Sequence, residues 1–178
     1  MNKHEFYNVL DQVIPGSGIN DSKIRFYLTR ISLDSLDEFH SYSVKDERFY
    51  KYLEYEPFKS IEDSKKYLIR LLDLEGNESL GRESIAWFVR RKKDNKFIGT
   101  VRLINISYHR QSVMWGYGVD PELWGQGYVF EIQKVLMEYI FEVLCLNRLS
   151  GSAMLDNKPT ISTLISAGMK EEGIERQS

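Results

Sequence analysis

The chain has 178 residues, 42% hydrophobic and 28% charged, with a formal net charge of -2. That length and composition suit one globular domain able to bury a core without disulfides or metal. The balanced charge marks no nucleic-acid binder, and the single cysteine, Cys145, excludes an internal disulfide or a cysteine zinc cluster.

Residues 1–22 are set apart as an N-terminal extension from a domain over residues 23–178. Phe6, Val9, Leu10 and Val13 share one helical face before Pro15-Gly16-Ser17-Gly18 breaks the chain. The segment is charged and amphipathic and lacks the apolar h-region of a signal peptide. No apolar run is long enough to span a membrane. A cytoplasmic protein with no membrane or nucleic-acid partner is therefore expected.

Residues 23–29 alternate and are aromatic-rich, which predicts a first strand. Residues 33–52 read as helical, with Leu36 and Phe39 on one face and a break around residues 44–47. Residues 54–58 form a loop. Ser60-Ile61-Glu62-Asp63 has the form of a capping box opening a helix over residues 61–74, with Tyr67, Leu68, Leu71 and Leu72 inward and Gly76-Asn77 as its stop. Residues 85–91 and 96–107 are strands joined by the turn-rich Lys92-Lys93-Asp94-Asn95, and residues 112–119 form a third. The order is strand, two helices, then a three-strand antiparallel meander.

Next comes Asp120-Pro121-Glu122-Leu123-Trp124-Gly125-Gln126-Gly127-Tyr128-Val129-Phe130-Glu131. It feeds an amphipathic helix in which Ile132, Val135, Leu136, Tyr139, Ile140, Val143 and Leu144 recur at helical spacing. A glycine-bearing turn at a helix N-terminus points several backbone N–H groups one way, with the positive end of the dipole behind them. It is either a phosphate cradle or a plain bend that uses glycine to turn. Cys145, at the end of the apolar face, reads as a buried, inert thiol. Residues 148–155 then form a strand, residues 159–166 a helix with Pro159 in its first turn and Ala167-Gly168 as its C-cap, and residues 169–176 a last strand.

The element order, the glycine turn, and Asn157-Lys158-Pro159-Thr160 followed by Ala167-Gly168-Met169 together resemble the GNAT superfamily of N-acetyltransferases. The resemblance runs from about Lys23 onward and is greatest to the ribosomal-protein-alanine branch. Against the superfamily signature Gln/Arg-x-x-Gly-x-Gly/Ala, Trp124 takes the first position, Gly127 the central glycine and Val129 the final small residue. Only Gly127 matches, but the aromatic-Gly-x-Gly-Tyr form at Trp124 to Tyr128 is typical of the branch. Val129 and Phe130 are bulkier than the usual pair and would lower cofactor affinity if they crowded the loop.

The resemblance implies an α/β fold, a mixed and mostly antiparallel sheet flanked by helices, with acetyl-CoA as cosubstrate, no metal, and an amine as acceptor. The cofactor-binding set it implies is Tyr117, Val119, Trp124, Gly125, Gln126, Gly127, Tyr128, Val129, Asn157 and Thr160. Asn157 would contact the pantetheine arm, or else serve as an Asx-type cap. Thr160 would hydrogen-bond or protonate the leaving thiolate, or else simply start its helix. Gly116-Tyr117-Gly118 suggests a bulge or a close backbone approach, and in the family the matching strand aims an N–H at the thioester carbonyl.

No residue stands out as general base. The predicted meander strands contain no acidic residue, so Glu54, Glu56 and Glu131 are the candidates, with Glu56 taken alongside Thr160 as the catalytic pair. Trp87, Trp115, Tyr55 and Phe58 line either the acceptor pocket or the core. His4, His40 and His109 are too scattered for a metal site.

The family closes its sheet with a seventh strand, and here the sequence stops at Ser178. The expectation is a sheet lacking its final strand, which another chain supplies in a homodimer, or a truncated product, or misplaced late elements. The function expected is acetyl transfer to a protein N-terminus or small amine by direct attack in a ternary complex. The alternatives are an amino sugar, polyamine or aminoglycoside acceptor, or a degenerate, non-catalytic CoA-binding protein.

Overall fold

The structure is a computed structural model and describes residues 24–53, 55–75 and 83–176. The extension with its expected helix, the helix stop at Gly76-Asn77 and Glu54 lie outside the described residues. Five strands form one sheet in the order β1-β2-β3-β4-β5. β1 (Phe26–Arg30), β2 (Glu83–Arg91), β3 (Phe97–Ser107) and β4 (Ser112–Val119) are antiparallel neighbours, and β5 (Arg148–Ser150) runs parallel to β4. This is the mixed, mostly antiparallel sheet expected.

Side chains alternate across the strands, so each sheet face builds its own core. On one face Phe26, Leu28, Ile85, Trp87, Val89, Val101 and Leu103 meet Ile132 and Leu136 of α3 (Tyr128–Glu138) and Ile140 just beyond its end. On the other, Ala86, Phe88 and Phe97 meet α1 (Leu36–Ser43) through Phe39 and α2 (Ile61–Leu74) through Leu68 and Leu71. The second core is mostly aromatic, with Phe39 in ring contact with Phe58, Tyr67, Phe88 and Phe97. Trp87 and Trp115 therefore belong to the core, not to a pocket.

Local chemistry sets the helix starts. The Ser60 hydroxyl accepts from the Asp63 amide at 3.2 Å, and the Asp63 carboxylate accepts from the Lys59 amide, a reciprocal cap of the expected kind. The predicted break after α1 holds: α1 ends at Ser43, and a single-turn 3-10 helix at Glu47–Tyr50 follows, capped by Asp46.

Five expectations are corrected. The helix after the glycine turn does not stay α-helical: Tyr139–Val143 is a π-turn. The wider turn rotates the later side chains, so Val143 is exposed while Leu144 and Leu146 are buried. Cys145 consequently lies exposed, with a positive φ of 52°, not buried. The strand read over residues 148–155 pairs only at Arg148–Ser150. Residues 169–176 form no strand; they are mostly exposed and charged, tied to β5 by the Glu172–Arg148 ion pair, and they offer no apolar face to bury. Finally, β2 begins at Glu83, so the meander does carry one carboxylate residue, paired with Ile106.

Candidate cofactor and acceptor site

β4 pairs with β3 along most of its length, from Ser112 to Val119, but with β5 only at Ser112, Val113 and Met114. Beyond Met114 the two parallel strands separate. Residues 115–119 thus keep one ladder edge without a β5 partner, and alternate amides of that stretch point into the gap. Through Gly116–Gly118 β4 keeps an unbroken register with β3, with no bulge there, and glycines allow the close packing. A Cβ at Gly99 on β3 would run into the Gly118 carbonyl oxygen, and one at Gly118 would lie 2.7 Å from the Phe49 ring.

At the end of β4 the buried Asp120 carboxylate accepts from the Glu122 amide at 3.0 Å and pairs with Lys45 at 3.2 Å. This fixes the strand exit against the chain following α1. A short 3-10 turn, Pro121–Leu123, leads into the glycine turn. Gly125 has φ 73° and Gly127 φ 82°, the left-handed region that glycine enters without a Cβ clash. Gly127 is the N-cap of α3, so the amides of Tyr128, Val129 and Phe130 have no intrahelical acceptor. The Gln126 amide is already used, bonded to the Leu123 carbonyl at 3.3 Å. Residues 124–127 are exposed, whereas the Tyr128 side chain is buried. Val129 packs on the core and Phe130 lies beneath Lys134, 5.3 Å from its ammonium. Neither bulky side chain is needed to fill the turn.

Two side chains brace this loop. The Trp124 indole N–H donates to the Val119 carbonyl at 2.9 Å, and the Val119 side chain is itself buried. Arg25, just before β1, donates through Nε to Glu131 at 2.7 Å and through Nη2 to the Gln126 carbonyl at 2.8 Å. Its guanidinium carbon stands 4.1 Å from the Tyr128 ring centroid. Glu131 is thereby committed to an ion pair, which leaves it poorly placed as a free base.

Across the gap, α4 (Lys158–Ser166) begins at its N-cap Asn157, whose side-chain oxygen accepts from the Thr160 amide at 3.3 Å. The Asx-type cap is therefore real, and it uses the Asn157 oxygen. The Thr160 hydroxyl lies 2.8 Å from the Tyr117 phenol. Burial raises the Tyr117 phenol above its ordinary value, while the bond to Thr160 works in the opposite, weaker direction. Tyr117 is thus a neutral phenol at physiological pH.

On the other sheet face, Phe49 seats under Gly118, and its neighbour Tyr50 opens a cavity of about 360 Å³ lined by Tyr50, Leu53, Tyr55, Glu56 and Pro57. The exposed Glu56 is the one carboxylate among these lining residues. Burial pushes the Tyr55 and Tyr50 phenols up, so the aromatic wall is uncharged. The same loop reaches the far side of the gap, where the Tyr52 hydroxyl bonds the Asp156 carbonyl at 3.5 Å.

The fold therefore brings Tyr117, Thr160 and Asn157 together beside the unpaired stretch of β4, and Trp124, Gly125, Gln126, Gly127, Tyr128 and Val129 together at its end. Glu56 lines the cavity beside Tyr50 and Tyr55, whereas Thr160 contacts Tyr117 and Asn157. Arg25, Lys45 and Asp120 were not singled out from the sequence. Arg25 meets its partners 101 and 106 residues away, and no local spacing signals such a contact.

The Acetyltransferase (GNAT) domain family matches residues 25–170. Over 152 residues, 85% of this chain and 83% of the other, the sequence is 27% identical to the uncharacterized N-acetyltransferase p20 of Bacillus licheniformis. It is 27% identical to the uncharacterized N-acetyltransferase YoaA of Bacillus subtilis, a match spanning about half of each protein, 54% of both. Among solved structures, a spermidine N-acetyltransferase from Vibrio cholerae in complex with CoA and spermine superposes with a TM-score of 0.69 at 20% identity, covering 84% of this chain and 82% of that one.

Proposed function

The chain belongs to the GNAT acetyltransferase family, and from that premise we propose that it transfers the acetyl group of acetyl-CoA to a primary amine, a protein N-terminus or small amine, by direct attack. One observation carries this reading. The glycine turn and the free first-turn amides of α3 stand directly at the end of the β4 stretch that has parted from β5. A Cβ at Gly125 would meet nothing within 4 Å and one at Gly127 only Arg25, so the outer face of the turn has room for a diphosphate. The relatives' shared name, N-acetyltransferase, agrees with it.

Bound acetyl-CoA supplies an acyl carbon activated by a thiolate leaving group. The chain's own groups divide the remaining work. Amides of Gly127, Tyr128 and Val129 hold the diphosphate against the positive end of α3. Alternate amides of residues 115–119 donate to the carbonyl oxygen as negative charge develops there, an effect worth about 3–4 kcal/mol for a well-placed donor. Glu56 accepts a proton from the incoming ammonium, which must be neutral to attack. Thr160 donates its hydroxyl to the departing sulfur while its oxygen accepts from Tyr117, whose phenol keeps its proton.

Among the described lining residues Glu56 stands amid uncharged aromatic rings, a setting that suits an ammonium group through an ion pair and cation–π attraction. The aromatic-Gly-x-Gly-Tyr turn supports a peptide N-terminus, as in the ribosomal-protein-alanine branch. Calorimetry with acetyl-CoA, followed by thiol release against monoamines, polyamines, amino sugars and peptides with free N-termini, tests the reading. Binding with release on a small amine or peptide supports it. Binding without turnover for any amine makes the chain a CoA-binding protein, and absence of binding removes the enzyme reading.

A further inference from the structure

Glu131 poses a problem for any anionic ligand of the glycine turn. It lies in the first turn of α3, where an acidic side chain favours the helix dipole but repels a diphosphate approaching the same N–H groups. Arg25 answers that charge. It contacts Glu131 through Nη2 at 2.6 Å and through Nε at 2.7 Å, and the Arg25 amide donates to the other carboxylate oxygen at 3.4 Å. Nη2 also donates to the Gln126 carbonyl oxygen, offsetting its partial negative charge. The stacking over Tyr128 fixes the guanidinium plane, and Nη2 lies 3.6 Å from where a Gly127 Cβ would stand. The Nη1 group has no acceptor among the described residues, and the side chain is 41% exposed.

We propose that Arg25 is a diphosphate-positioning residue: it cancels the Glu131 charge at the mouth of the glycine turn and offers its Nη1 face to the cofactor's phosphates. This rests on the acetyl-CoA reading given above. A bracing role alone makes a different prediction. If Arg25 served only to tie the loop through Glu131, removing either partner would do equal damage. If it acts through charge, Glu131→Gln releases a cation toward the ligand, while Arg25→Ala leaves a bare carboxylate in its path.

The test measures acetyl-CoA and inorganic pyrophosphate binding to wild type, Arg25→Ala, Glu131→Gln and the double variant, with circular dichroism confirming that each is folded. Arg25→Ala should weaken acetyl-CoA binding about tenfold or more, as expected for loss of a charge-assisted contact. Glu131→Gln should bind as tightly as wild type or tighter, and the double variant should recover part of the Arg25→Ala loss. Added salt should weaken wild-type binding more than that of Arg25→Ala. Equal losses in both single variants, or no loss in Arg25→Ala, would overturn the proposal. Pyrophosphate bound in an Arg25-dependent way by a protein that ignores acetyl-CoA would keep Arg25 as an anion-positioning group and end the acyl-donor reading. Failure of wild type to bind either probe would overturn both.

Discussion

The Tyr117 phenol and the Thr160 hydroxyl meet at 2.8 Å, joining β4 to the first turn of α4 across the gap where β5 has turned away. The residues stand 43 positions apart in the chain. Their contact converts a helix-start threonine and a strand tyrosine into one donor pair.

Thr160→Val keeps the shape and removes the hydroxyl. If the pair stabilises the leaving thiolate, kcat should fall by about 10²-fold or more, within the usual range for a positioned proton donor, with little change in KM. Tyr117→Phe should give a smaller fall, and the double variant should be no worse than Thr160→Val alone, because Tyr117 acts through Thr160. Steady-state kinetics on the four proteins decide it. Additive losses would mean two independent roles.

Gly127→Ala forces an alanine into a left-handed conformation at φ 82°, costing about 1–2 kcal/mol. The turn should relax away from the geometry that presents the Tyr128, Val129 and Phe130 amides. Acetyl-CoA affinity measured by calorimetry should drop about tenfold, in line with that strain. An unchanged affinity would take the turn out of the cofactor site.

Gly99→Ala tests whether β3 and β4 need their close approach. The added methyl would collide with the Gly118 carbonyl oxygen and stand 3.2 Å from the Val119 Cα, both backbone and unable to swing aside. A loss of about 1–3 kcal/mol is expected from such overpacking. Gly116→Ala meets only the Arg102 and Ile104 side chains, at 3.5 Å or more, and should be tolerated far better. Urea unfolding of the two variants compares them, and equal stability would refute the contact's importance.

Burial raises the phenols of Tyr42, Tyr55 and Tyr117 above the ordinary tyrosine value of 10.0. The folded chain therefore holds these protons at pH values where the unfolded chain has released them. Above pH 10 the native state binds more protons than the unfolded one, so stability falls as pH rises. It should be independent of these groups below that point. Melting temperatures between pH 8 and 11.5 should show a plateau and then a decline, shallower in Tyr117→Phe than in wild type. A flat profile to pH 11.5 would contradict the burial of these phenols.

Much of the architecture was legible because it is written in local periodicity. The turn-rich connection between β2 and β3, the Ser60–Asp63 cap and the two glycines before α3 each act within a few residues, and each appears where expected. The late chain was misread for the same reason. Residues 169–176 alternate weakly, but strand formation needs a partner edge, and they have none among the described residues. Val143 and Cys145 continue a helical face on paper, yet one π-turn rotates both outward.

The candidate site divides along the same line. The sequence alone determined the glycine turn and its place at a helix start, and offered the Asn157 cap as one of two readings, because backbone conformation there depends on residues side by side. Only the tertiary structure decided that β4 parts from β5 after Met114, that Thr160 finds Tyr117, and that Arg25 answers Glu131. Those relationships join residues 36 to 106 positions apart. They exist because the sheet brings its edges together, and no local spacing encodes which side chains will then face each other.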